Sequence, residues 1–260
     1  MKVHIWTMVY CNSAVFRAGM QSFQQTVKTL PVESKHVFLD QRYPLNAPDM
    51  GSWVWEQQAP PCSTVYMASE CNLGLHGGLN KLLEYSTEDL EDEDIIIAYD
   101  ADEGPLQEGW LDAMLRVFAA DSTCGWLSLT ASAIDEQLDA MRTPTTVVGG
   151  EKVRIPVDCL MNVVCGWRVG ALRASGGVFT EPYAYYGGLE IDMQPKFRKA
   201  GYWVGWLVDY KTQPHHVLSD ETYRQYKLAH VGFEQPTFSG SFEEWLALYG
   251  EKGRAPTSQR

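Results

Sequence analysis

Apolar and polar positions follow two rhythms along the first half of this chain. VHIWTMVY (3–10) is a mostly apolar run that reads as a strand, and Ser13 is placed to cap the helix after it. Phe16, Met20, Phe23, Val27 and Leu30 follow at helical spacing, forming one apolar stripe that Pro31 stops. HVFLD (36–40) reads as a second strand ending in Asp40, and TVYMAS (64–69) as a third. The loop ECNLGLHGG (70–78) and a short helix through Leu79, Leu82 and Leu83 come next. A fourth strand covers Ile95, Ile96, Ile97 and Ala98. Trp110, Met114, Val117 and Phe118 mark one face of a helix after it, and WLSLT (126–130) reads as a fifth strand.

This alternation predicts an α/β fold, a mostly parallel sheet with helices on both faces. In such sheets ligands bind in the crevice at the carboxyl ends of the strands. Tyr10, Asn12, Asp40, Asn72, Asp100 and Asp102 all fall at or just beyond those ends, which predicts a site there. Past about residue 135 the rhythm breaks. Residues 135–158 read as a loop-rich excursion with a β-ribbon around GGEKVRIPV, and 163–177 as a strand feeding a short helix. A loop, a helix near 190–200 and a strand near 202–208 follow, and SFEEWLALYG (241–250) has the pattern of a closing amphipathic helix. No Pro/Gly/Ser-rich linker divides the chain, so a single domain is expected.

The chemistry concentrates in YDADEGP (99–105). Four apolar residues before it suit a strand covered on both faces. Side chains alternate along a strand, so Asp100 and Asp102 emerge on the same side. Two carboxylates side by side repel unless a cation lies between them. Oxygen ligands favour a hard ion, Mg²⁺ or Mn²⁺, which keeps positions open for phosphate oxygens. Aspartates also occur in ordinary turns. The buried run in front of this pair and the glycine-bearing loop upstream raise it above that reading. The acidic run STEDLEDED (86–94) reads as a solvated loop.

Composition narrows the partners. The formal charge of −12 argues against general nucleic-acid binding and against an anionic membrane surface. Six cysteines form no CxxC pair and no zinc spacing, and read as reduced thiols of a cytosolic protein. His4 and Thr7 interrupt the first apolar stretch, so no signal peptide is expected, and no run approaches the length of a membrane span. A soluble, cytoplasmic protein is the expectation.

The order of these pieces resembles the family 2 glycosyltransferases and their GT-A (Rossmann-like) fold. The matching pieces are a strand ending in Tyr10 and Asn12, a strand ending in Asp40, NLGLHGGLN (72–80), YDADEGP, and GGLEIDMQPKFRKAGY (187–202). The resemblance covers roughly residues 1–216. It implies a nucleotide-binding half over 1–132, an acceptor-side half over 133–216, and a C-terminal helical extension over 217–260 on the same domain. The implied activity is transfer of a hexosyl or pentosyl group from a UDP- or GDP-sugar to a hydroxyl, with Mn²⁺ or Mg²⁺; inversion is the expected outcome, with retention the open alternative for this fold. The acceptor stays open among saccharides, lipids, proteins and modified nucleobases.

Residue roles follow from the resemblance. Val9 and Tyr10 would touch the nucleotide, with Asn12 beside them, and Asp40 would bond the base. Asn72, Gly77 and Asn80 would shape the nucleotide loop, Gly77 and Gly78 by allowing close backbone approach. Asp100 would face the ribose or the metal, and Asp102 would bind the metal. His215 or His216 would supply a third ligand, since imidazole suits Mn²⁺. Only one of two adjacent side chains in an extended segment should reach the ion. His76 would help the loop or contact phosphate. Glu190 matches the place of the catalytic base. This chain departs from the usual pair of adjacent acids, because Leu189-Glu190 is followed by Asp192, so the base stays open between Glu190 and Asp192. Tyr185, Tyr186, Gly187 and Gly188 would present rings and open backbone to sugar or acceptor, and Trp167 would stack in the same way. Arg168 or Arg173 would be available to neutralise a diphosphate.

Two rival readings remain. A nucleotidyltransferase would want a glycine-rich, basic loop after the first strand, where this chain has YCNSAVFRAG with only Arg17 and Gly19. A non-catalytic nucleotide- or sugar-binding module of the same fold would have no need of Asp100, Asp102 and Glu190. Dehydrogenase and P-loop readings fail because GxGxxG and GxxxxGK[ST] are missing.

Overall fold

In the computed structural model the apolar runs become the inner strands of one sheet, nine-stranded among the described residues, in the order β3-β2-β1-β4-β8-β5-β9-β7-β6. The structure describes residues 1–9, 13–27, 30–31, 33–41, 62–69, 73–99, 106–160, 164–177, 179 and 189–212. The strands are β1 (Val3–Val9), β2 (Lys35–Asp40), β3 (Ser63–Ala68), β4 (Ile95–Ala98), β5 (Cys124–Thr130), β6 (Thr145–Val148), β7 (Glu151–Arg154), β8 (Cys165–Arg168) and β9 (Trp203–Lys211). The helices are α1 (Ser13–Thr26), α2 (Gly74–Ser86), α3 (Trp110–Ala120), α4 (Ser132–Ala140), α5 (Val169–Ala174) and α6 (Leu189–Lys199). Pairing makes β3, β2, β1 and β4 parallel neighbours. β8 is antiparallel to both β4 and β5, β9 is parallel to β5, and β7 is antiparallel to β9 and β6. Every strand except β7 and β8 therefore runs one way, and the expected mostly parallel sheet is present.

Helices cover both faces. On one, Met20 and Phe23 of α1, Val27 just past its end, and the Trp110, Met114, Val117 and Phe118 stripe of α3 pack on Val3, Ile5, Ile95 and Ile97. On the other, α2, α4, α5 and α6 bury Leu79, Leu82, Ile134, Leu138, Leu172, Met193 and Phe197 against Trp6, Val37, Ile96, Trp126, Trp167 and Trp206. Alternate isoleucines of β4 enter opposite clusters, which is why its sequence is apolar without a break. Among the described residues no helix is long and apolar enough to cross a membrane.

Two elements differ from the sequence reading, and the expected ribbon is present. Helix α2 begins at Gly74, inside the expected loop, because Gly74 takes a φ of 71° that turns the chain into the helix without a Cβ clash. The excursion after residue 135 contains α4, anchored by Ile134 and Leu138. The ribbon around GGEKVRIPV is the β6–β7 hairpin, and Gly149 and Gly150 (φ 62° and 86°) make its two-residue turn. The closing helix expected over 241–250 and the extension over 217–260 lie outside the described residues.

Candidate active site

The carboxyl ends of β1, β2 and β3 form one step. Val9 pairs with Asp40, and Asp40 with Ala68, so the three residues share a rung. Strand β4 enters at the same edge. Ala98 lies opposite Trp6, and Tyr99 is fixed by its N–H donating to the Trp6 carbonyl (2.9 Å) and its hydroxyl to the Gly19 carbonyl (2.6 Å). The next residues in sequence are the acids of YDADEGP. Of that segment the structure describes Tyr99, anchored on β1 one residue past the Trp6–Ala98 rung.

Asp40 is 8% exposed and is held from its own sheet. The Tyr66 hydroxyl donates to its Oδ2 at 2.6 Å, and Ser69 N–H donates to its carbonyl at 2.9 Å. Gln41 ties three elements together on the opposite face. Its N–H donates to the Val9 carbonyl (3.0 Å), and its Oε1 accepts from Leu73 N–H (2.8 Å) at the start of α2. That bond serves a helix N-terminus with no side-chain cap. Sequence reasoning missed Tyr66 and Gln41. Their only signals were the polar atoms they carry, in an otherwise apolar strand and immediately after Asp40.

Several expected binding residues have other duties. Gly78 does not open space for a ligand: a Cβ there would meet Met8 Sδ at 2.6 Å and Gln41 Nε2 at 3.0 Å, so it lets α2 sit close on β1. Gly77 lies half-buried in the first turn of α2, and His76 is buried in it. Asn80 instead pins Phe179, donating to its carbonyl (2.7 Å) and accepting from its N–H (2.8 Å). Trp167 is a correction: it is 1% exposed, with Trp6, Trp126 and Phe179 around its ring at 5.2–6.1 Å, and offers no face to a sugar. Arg168 and Arg173 are not placed to meet a diphosphate. Arg168 donates to the carbonyls of Cys124 (3.0 Å), Phe118 (2.5 Å) and Asp121 (3.1 Å), and Arg173 to Asp92 Oδ1 (2.6 Å) and the Leu90 carbonyl (2.7 Å).

Both candidate bases sit in the first turn of α6, where carboxylates meet the positive end of the helix dipole. Their surroundings differ. Asp192 Oδ2 is paired with Lys196 Nζ at 2.6 Å, one turn on. Glu190 shares a face with Gln194 and Arg198, which dock α6 on the segment 156–160. Gln194 exchanges two bonds with the Leu160 backbone (3.1 and 2.7 Å), and Arg198 donates to the Asp158 carbonyl (2.8 Å). Burial pushes the Cys159 thiol up against the pull of Arg198, with smaller pushes from the charges of Asp158 and Glu190.

Tyr10, Asn12, Asn72, Asp100, Asp102, Tyr185, Tyr186, Gly187, Gly188, His215 and His216 lie outside the described residues. Among the described residues no group of three or more His, Cys, Asp or Glu is placed to hold a metal. The expected donor set, carboxylates plus one imidazole, suits Mn²⁺ in its chemistry, and its first member follows directly on the anchored Tyr99.

A single mixed sheet with helices on both faces, and polar residues at the carboxyl ends of its parallel strands, is the GT-A glycosyltransferase fold. Among solved structures the chain is similar to the mannosyltransferase PcManGT from Pyrobaculum calidifontis in complex with GDP-Man and Mn²⁺, with TM-score 0.59 and 14% identity over 87% of this chain and 59% of that one. It is similar also to GalNAc-T7 with UDP, GalNAc and Mn²⁺, with TM-score 0.62 and 8% identity over 97% of this chain and 54% of that one. For residues 1–349 of S. aureus TarS in complex with UDP the TM-score is 0.57 and the identity 13%, over 95% of this chain and 78% of that fragment. The chain thus spans little more than half the length of the first two. No protein-family model matches the chain, and no curated protein matches it in sequence.

Proposed function

We propose that this protein is a metal-dependent glycosyltransferase of the family 2 type, moving a sugar from a UDP- or GDP-sugar to a hydroxyl acceptor with inversion. The observation that carries the reading is the shared edge. Val9 and Asp40 end β1 and β2 on one rung, the anchored Tyr99 follows the end of the neighbouring parallel strand β4, and the paired acids Asp100 and Asp102 follow Tyr99 in sequence. The structural neighbours that bind GDP-Man and Mn²⁺, or UDP and Mn²⁺, support it.

In this reading residues 1–132 bind the nucleotide and 133–216 the acceptor. Asp40 accepts from an N–H of the base, and Val9, Tyr10, Asn12 and Asn72 line the nucleoside. Asp102 and Asp100, with His215 or His216, hold Mn²⁺ or Mg²⁺, and Asp100 also reaches the ribose. When bound, the cation supplies Lewis acidity to the departing diphosphate. Glu190 takes the proton of the acceptor hydroxyl as it attacks the anomeric carbon. Asp192, whose carboxylate pairs with Lys196, is the alternative base. Tyr185, Tyr186, Gly187 and Gly188 precede α6 and contact sugar or acceptor. Free thiols at Cys62, Cys124, Cys159 and Cys165 fit a reducing, cytoplasmic setting.

Thermal unfolding with UDP, GDP, ADP, CDP and nucleoside triphosphates, with and without Mn²⁺, tests this reading. A ligand that binds only the folded state raises the melting temperature by mass action. UDP or GDP should stabilise the protein only with metal, and Asp102→Asn should abolish that effect. Stabilisation by triphosphates alone would favour a nucleotidyltransferase, and indifference to every nucleotide would remove the reading.

A further inference from the structure

We propose that Tyr66 is a positioning residue that sets which nucleobase the site accepts. This inference rests on the reading of Asp40 as the base-binding acid and adds the residue that aims it. On β2 and β3, Phe38 pairs with Tyr66 and Asp40 with Ala68, so Tyr66 starts one two-residue step below the carboxylate on the same face. A tyrosine ring is long enough to span that step, and its hydroxyl meets Asp40 Oδ2 at 2.6 Å. That length is typical of a charge-assisted O–H···O⁻ bond, among the stronger and more directional kinds.

The bond fixes the plane of the carboxylate at the rung that ends β1, β2 and β3. An ionised carboxylate only accepts, and its oxygens carry more lone pairs than one phenol can use. Held in that plane, Asp40 accepts from a base with an N–H on its pairing edge, as uracil has at N3 and guanine at N1. Cytosine and adenine present an unprotonated ring nitrogen there and leave the carboxylate facing a lone pair. Tyr66 is half-buried against the cluster that holds Phe38, so a purely structural staple between strands is the alternative.

Calorimetric binding with Mn²⁺ separates the two. The wild-type chain should bind UDP (or GDP) about ten-fold or more tightly than its N3-methyl (or N1-methyl) analogue, the loss expected for one hydrogen bond to a charged group. Tyr66→Phe keeps the ring and should weaken the unmodified nucleotide about ten-fold while changing the methylated one less than two-fold, so that discrimination collapses. Equal weakening of both nucleotides, or no change in either, overturns the proposal. A second arm is independent of the folding of Tyr66→Phe. In Asp40→Asn the phenol should hold the amide oxygen and turn the NH₂ to the base, shifting preference from UDP toward CDP (or from GDP toward ADP). An unchanged preference in Asp40→Asn contradicts the assignment. If the wild-type chain binds neither UDP nor GDP, the reading of the site fails first, and this inference with it.

Discussion

Glu190 and Asp192 lie two residues apart in one helical turn, yet on different faces of α6. Lys196 holds Asp192, whereas Glu190 is on the face whose Gln194 and Arg198 bond the backbone of the segment 156–160. Glu190→Gln should therefore leave nucleotide binding unchanged and lower turnover by about 10²-fold or more, the scale of a lost general base. Asp192→Asn should cost less than about 1 kcal/mol, as a partly exposed helix ion pair does, and keep turnover. Steady-state kinetics beside nucleotide titrations read both outcomes. A large effect of Asp192→Asn on turnover alone would move the base to Asp192. Arg168 presents the opposite case, a cation that an α/β nucleotide site makes tempting. Its guanidinium closes three backbone carbonyls and lies 5.5 Å from the Phe118 ring centre. Arg168→Met should lower unfolding free energy by about 2–4 kcal/mol, because buried acceptors lose their donor. Nucleotide affinity of the folded protein should not change. Urea denaturation and calorimetry test the pair of statements.

At the scale of elements, the docking of α6 decides where Glu190 stands. Gly125 of β5 makes room for it: a Cβ there would come within 2.6 Å of Tyr202 Cβ and 2.8 Å of the Phe197 ring. Gly125→Ala should push α6 from the sheet, costing about 1–3 kcal/mol and lowering turnover while leaving the nucleotide edge intact. Denaturation midpoints and kinetics check this, and full turnover in the variant would separate α6 from the chemistry. The inner strands were legible because β1, β2 and β4 are buried on both faces, which leaves nearly unbroken apolar runs. The α1 and α3 stripes were legible for the same reason at helical spacing. The first turn of helix α2 was not, since Gly74, Gly77 and Gly78 read as a loop before the Leu79–Leu83 stretch. Tertiary packing of Leu79 and Leu82, and the close approach of Gly78 to Met8, outweigh the glycine cost there. Helix α4 has only Ile134 and Leu138 as anchors, too short a stripe to stand out. The insertion of β8 between β4 and β5 is a non-local pairing that no local pattern carries. At the site, the position of Asp40 was readable from strand ends. That Asn80 and Trp167 face protein was not, because their partners, Phe179 for Asn80 and Trp6 and Trp126 for Trp167, are distant in sequence.

For the whole molecule, two buried histidines couple stability to pH. His36, stacked on Phe38 at 3.9 Å and bonded to Thr7, is pushed down to about 3 by burial. His4, bonded to Ser86, is pushed down to about 4 by burial and by Lys35. Both stay neutral in the fold, while an unfolded histidine takes a proton near pH 6.5. Their contribution is thus complete above that pH and is lost as pH falls toward 4 and 3. Between pH 7 and pH 5 each should remove about 2 kcal/mol. Urea midpoints at the two pH values, with His36→Gln flattening the slope, measure it, and a pH-independent midpoint would contradict it. The larger question is whether the sheet edge ending in Val9, Asp40 and Tyr99 transfers sugars. Incubation of the protein with a panel of UDP- and GDP-sugars, with Mn²⁺ or with a chelator, answers it without knowledge of the acceptor, because water can replace the hydroxyl slowly. Release of UDP or GDP from at least one donor is expected, only with the metal and not from Asp102→Asn. No release from any donor, or release that ignores both the chelator and that substitution, would contradict a metal-dependent glycosyltransferase.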